Sequence, residues 1–149
     1  MKRSELTFTL ALVPLDFLAL LAAGIAAYFS RFHPAFTAIR PVIFDLTLHG
    51  YLKVVTPMVI VFMFVFAISG LYGVTRRSIA NELSRIVLAC SASMALVFAI
   101  SFFSRVLFES RFIAIAGWGL AIIFVALERL AVRALQRSLL RLGIGTHRI

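Results

Sequence analysis

The sequence holds one cysteine, one tryptophan, four prolines and six acidic residues among 149. Each scarcity excludes something. A lone cysteine, Cys90, forms no internal disulfide, and inside an apolar run it reads as a packing residue that says nothing of redox compartment. Six acids, no two adjacent, leave no paired carboxylates for acid–base chemistry, and no serine or cysteine has a base beside it to activate it as a nucleophile. His33, His49 and His147 stand apart, without partners at metal-ligand spacing. No glycine-rich phosphate loop follows a strand. Gly143-Ile144-Gly145 lacks the third glycine and the preceding strand of a dinucleotide turn. Charge is also scarce: 14% of residues are charged and 62% are hydrophobic, where soluble domains run to about 25% charged and roughly 45–50% apolar. With a mean hydropathy of +1.06, water is not the main solvent of this chain.

The apolar residues fall in four blocks, over about 6–29, 54–72, 86–103 and 112–128. The first, with about 24 residues rising roughly 1.5 Å each, outreaches a hydrocarbon layer of about 30 Å. It starts after Lys2 and Arg3 but exceeds the core of a secretory signal, so it is expected to be a retained helix. Ser30 to Lys53 reads as a loop lying against the bilayer surface. Pro57 is expected in the first turn of the second helix, where a missing amide proton does little harm, and Gly70 and Gly73 bracket that helix's end. Ser78 is a cap candidate for a helix with Glu82 in its first turn, running into the third block. Small residues spaced by four, Ala19, Ala23 and Ala27 in the first helix and Ser91, Ala95 and Ala99 in the third, predict that these two helices pack together. Trp118 and the phenylalanines of the later spans read as lipid-facing or packing residues. The fourth block continues without a breaker through Arg129, Arg133, Arg137 and Arg141, which share one side of the helix, until Gly143 and Gly145 offer a stop. The expected architecture is all-α: a four-transmembrane-helix bundle over residues 1–142 with a basic amphipathic extension of the last helix.

The net charge of +9 is not a nucleic-acid footprint, because the cations flank the apolar blocks and are not interleaved with exposed aromatics. The bilayer is the expected partner. Ten Lys and Arg fall on the side of the two termini and five on the other, so both termini are expected in the cytoplasm. Asp16 is the one acid inside a predicted span, where a carboxylate costs about 3 kcal/mol or more. It is expected to reach the interface or to pair with Arg76, Arg77 or Arg129. Glu109, between Arg105 and Arg111, reads as an anchor of the tight hairpin before the last helix. Together with Arg133 and Arg137 these are the candidate interface and helix-pairing residues. No catalytic, cofactor-binding or metal-binding residue is expected in this chain.

The order of motifs resembles a known family. Pro14-Leu15-Asp16-Phe17 is followed by Ala27-Tyr28-Phe29-Ser30-Arg31, then Gly70-Leu71-Tyr72 before Arg76-Arg77. Next come Phe103-Ser104-Arg105, Ser110-Arg111-Phe112, Trp118, the arginine row from Arg129, and Gly143-Ile144-Gly145-Thr146-His147-Arg148. Over nearly the whole chain this resembles the amino-terminal membrane region of bacterial polyprenyl-phosphate sugar-1-phosphate transferases, of the undecaprenyl-phosphate glucose phosphotransferase kind. The resemblance implies an inner-membrane anchor for an enzyme that moves a sugar phosphate from a nucleotide sugar to a polyprenyl-phosphate carrier in exopolysaccharide or envelope glycan synthesis. In that family an Asp-Glu pair and magnesium serve catalysis in a later domain. No Asp-Glu pair occurs here, so no catalytic residue carries over; the chain reads as a fragment or a free-standing membrane module, and its end just after the basic helix favours a fragment, with 143–149 opening the linker to a cytoplasmic domain. The runner-up resemblance is to membrane-bound nucleotide-sugar epimerase/dehydratases. A small four-helix transporter working as a dimer, and a partner-binding membrane protein without chemistry, are the readings from other classes; self-association is compatible with each.

Overall fold

A computed structural model describes residues 3–39, 41, 47–73, 78–103 and 111–141. Arg76, Arg77, Arg105 and Glu109, together with the Gly143–Arg148 segment, lie outside the described residues. The described chain forms α1 (Arg3–Phe32), the short α2 (Pro34–Thr37), α3 (Leu48–Ile68), α4 (Ile79–Phe103) and α5 (Arg111–Arg141). All but α2 contain a stretch long and apolar enough to cross a bilayer, at Thr9–Phe32, Leu48–Ile68, Ile79–Phe103 and Arg111–Ser138. Helices satisfy every interior backbone group within the segment, which lipid demands. The protein is an all-α, multi-pass membrane protein.

The helix ends correct several boundaries. The expected loop from Ser30 to Lys53 is partly helical. α1 runs on to Phe32; His33 then caps α2, its Nδ1 accepting from the Ala35 amide at 3.4 Å, with Pro34 at the first helical position. α3 starts at Leu48, six residues before Val54, because Thr47 is a working N-cap: its hydroxyl oxygen accepts from the Gly50 amide at 3.3 Å and its carbonyl from Tyr51 at 3.0 Å. Pro57 therefore sits in the helix interior, where it leaves the Lys53 carbonyl without its usual amide donor. One residue earlier, the Thr56 hydroxyl donates to the Leu52 carbonyl at 2.8 Å.

α3 stops at Ile68, and the glycine there is required. Gly70 has φ +68°, the left-handed region that costs a Cβ-bearing residue energy. Its amide donates to Ala67 at 3.2 Å and that of Leu71 to Phe66 at 3.1 Å, the paired bonds of a Schellman stop. Phe66 and Leu71 are both buried, supplying the apolar contact that accompanies this motif. α4 begins as expected after Ser78, whose carbonyl accepts from Glu82 at 3.0 Å.

In the bundle α1 packs on α5 and α3, and α4 packs on α3 and α5. α1 meets α5 most extensively. The helices thus follow one another around a square, with α1 and α4 on a diagonal, so the expected pairing of the first and third spans does not form. Half of the small-residue reading holds. Ala23 and Ala27 are buried, and a Cβ on Gly117 of α5 would lie 3.8 Å from that of Ala27. The α4 row fails: Ala95 and Ala99 are exposed. A second small row, Ala89 and Ser93, is turned inward with Ile86, Cys90 and Val97, and the Ser93 hydroxyl closes on the Ala89 carbonyl at 2.7 Å. α4 is small on two faces, and spacing by four cannot choose between them.

Candidate functional site

The buried stripe of α1 is Asp16, Leu20, Ala23, Ala27 and Arg31, at steps of four, three, four and four that hold one helix face. The buried residues of α5 are Ile113, Ala114, Ala121, Val125 and Arg129. The helices are antiparallel: from the Ala27/Gly117 approach, eleven residues back along α1 reach Asp16 and twelve forward along α5 reach Arg129. The one acid and the first arginine of the row arrive opposite each other by register. Arg129 Nη2 donates to Asp16 Oδ2 at 2.7 Å, with Asp16 0% and Arg129 5% exposed. Of the three partners open in the sequence, Arg129 is the one among the described residues, and it pairs with Asp16. Arg129 is buried in the bundle, although the spacing of four places it on one side of the helix with the rest of the row. Four residues turn a helix about 400°, so the row drifts about 40° per step. Arg129 is inside, Arg133 is half-buried and Arg137 is exposed.

Two further groups close around this pair. Glu128 Oε2 lies 3.8 Å from Arg129 Nε, with the Glu128 side chain 12% exposed. The Tyr72 ring lies under the guanidinium, 5.6 Å from centroid to Cζ, within cation–π range. Burial, and then the nearby Asp16 carboxylate, raise the Tyr72 hydroxyl above the ordinary phenol range, so it remains a neutral donor. One turn beyond, Arg133 forms an ion pair with Glu82 of α4. α5 is therefore tied to α1 through Arg129 and to α4 through Arg133. Next to this end, Arg85 Nη1 donates to the Ser69 carbonyl at 3.3 Å, satisfying the terminus of α3.

The opposite end is built from aromatics. Arg31, a flank cation in the sequence, is buried; its guanidinium lies 5.8 Å from the Phe112 ring and donates to the Pro41 carbonyl at 3.4 Å. Phe36 packs on Phe112 at 5.1 Å, and the Tyr51 hydroxyl donates to the Gly24 carbonyl at 2.8 Å. Arg111 starts α5 here and is exposed. Among the described residues no three His, Cys, Asp or Glu side chains gather as metal ligands.

Comparison of the chain with protein-family models, with curated proteins and with solved structures finds no match.

The arrangement thus rests on its own chemistry. In lipid a carboxylate hydrogen-bonded to a guanidinium is a link between helices, since neither charge has water to return to. Glu128, Tyr72 and Glu82 were not singled out as partners of Asp16 or of the arginine row. Only Glu128 left a legible signal, as an acid next to Arg129 at the end of an apolar block. Tyr72 and Glu82 enter through the Schellman stop and the start of α4, which bring the α3–α4 connection and the first turn of α4 up to α5.

Proposed function

We propose that this chain is the membrane anchor and assembly domain of a bacterial polyprenyl-phosphate sugar-1-phosphate transferase, set in the inner membrane with both termini in the cytoplasm. Sugar transfer belongs to a separate catalytic domain, and magnesium with it. The observation that supports this reading most is the Asp16–Arg129 contact. Two motifs of the resemblance, one from each end of the sequence and 113 residues apart, meet at 2.7 Å. The pairing also makes Asp16 a tie between the first and last helices of the bundle, as an anchor needs. Holding an enzyme on the surface that contains its lipid acceptor raises their encounter rate, and the exposed Arg137 on the cytoplasmic extension attracts anionic headgroups.

The test begins with the coding sequence beyond Ile149. An Asp-Glu pair after a further hydrophobic hairpin is expected, and membranes containing the full product should load sugar phosphate from a nucleotide sugar onto polyprenyl phosphate. A Gly-x-x-Gly-x-x-Gly fingerprint there would reassign the anchor to an epimerase/dehydratase; a stop codon at that point would remove both readings. Proton-coupled flux in vesicles of the purified chain, abolished by Asp16→Asn, would establish a transporter instead.

A further inference from the structure

The cluster at the Asp16 end holds more acceptors than its one cation engages. Asp16 Oδ1, both Glu128 carboxylate oxygens, the Tyr72 hydroxyl and Arg129 Nε are buried without a hydrogen-bond partner. Arg129 Nε, on a side chain only 5% exposed, lies 3.8 Å from Glu128 Oε2, beyond hydrogen-bond reach. Such orphaned groups are rare in the interior of a protein and mark a site whose occupant completes the bonding.

Charge identifies the occupant. The described titratable and charged groups at the site are Asp16 from α1, Tyr72 from the α3–α4 connection, Glu82 and Cys90 from α4, and Glu128, Arg129 and Arg133 from α5. Glu82 and Arg133 balance each other. That leaves two carboxylates, Asp16 and Glu128, on a single guanidinium. Adjacent buried carboxylates do not both ionise at ordinary cost, and one proton both removes the excess charge and supplies the missing donor.

We propose that Asp16 and Glu128 share one exchangeable proton, which makes the Asp16–Tyr72–Glu128–Arg129 cluster a proton-binding site inside the bundle. The proton comes from hydronium at the nearer aqueous face, leaving water behind, and returns the same way; no other bond forms or breaks. The site is independent of which enzyme, if any, the bundle carries.

Infrared spectroscopy of the intact chain in lipid nanodiscs tests this. At neutral pH a carboxylic-acid carbonyl band is expected that shifts in heavy water, fades as the pH is raised, and is lost in Glu128→Gln and in Asp16→Asn but retained in Glu128→Asp. Absence of the band from the parent protein overturns the proposal, as does a band unchanged in both amide variants. Two further results would overturn it. One is a band that appears only after Arg76→Gln and Arg77→Gln, since an arginine would then be the neutralising partner. The other is a band displaced by sodium but not by choline, since the occupant would then be an alkali cation.

Discussion

Asp16 and Glu82 are both acids paired with α5 arginines, and they differ in what surrounds them. The Asp16–Arg129 pair is almost wholly withdrawn, whereas the Glu82 and Arg133 side chains keep 25% and 24% exposure. Removing one partner of a buried pair leaves a naked charge and costs about 3–5 kcal/mol, while replacing both by apolar residues of like size is often neutral. Arg129→Met should therefore strongly lower the thermal midpoint of the detergent-purified protein, because it strands Asp16 and Glu128 without their guanidinium, and adding Asp16→Leu should recover part of the loss. Glu82→Gln should cost at most about 1 kcal/mol, as half-solvated pairs do, read in the same melting experiment. Asp16 was legible as the acid that needed a partner. The choice of Arg129 was not, because it follows from the register of α1 on α5, which a sequence without pairing information does not contain. The 40° drift of a row spaced by four was calculable in advance and would have separated the inner Arg129 from the outer Arg137.

Among the helices, the long apolar blocks announced α1, α3, α4 and α5, since lipid leaves little choice for such runs. Their ends were less legible because caps act through side chains that look polar and loop-like in a sequence: Thr47 extends α3 backwards across His49 and Lys53, and Gly70 ends it before Tyr72. The α1–α3 contact makes a sharper expectation. A Cβ on Gly24 would stand 2.9 Å from Val55 Cγ1, and the Val55 side chain is stiff and buried. Gly24→Ala gains about 1 kcal/mol of helix propensity but meets an overpacking cost of about 1–3 kcal/mol. The variant should melt below the parent, and Val55→Ala in the same chain should restore it. A Gly24→Ala protein as stable as the parent would show that the two helices separate more easily than drawn.

As a whole the bundle has two unlike ends, one of charged pairs and one of aromatics around Arg31. With four spans among the described residues, Ile39 and Ser138, both exposed, belong to opposite ends. In a Cys90→Ala background, a cysteine at 39 should react with an impermeant maleimide added outside intact spheroplasts, and one at 138 only after permeabilisation; the reverse pattern would invert the topology. The same architecture bears on biogenesis. Both acids that α5 neutralises are made before it, so during synthesis Asp16 enters the bilayer with its guanidinium still unmade. A nascent product ending at residue 110 should be held by insertion chaperones or cleared by membrane proteases. Pulse–chase labelling should show Asp16→Leu lengthening the half-life of that truncated product while leaving the complete chain no better off. Within the bundle, the emergence of α5 is then what releases α1 from surveillance.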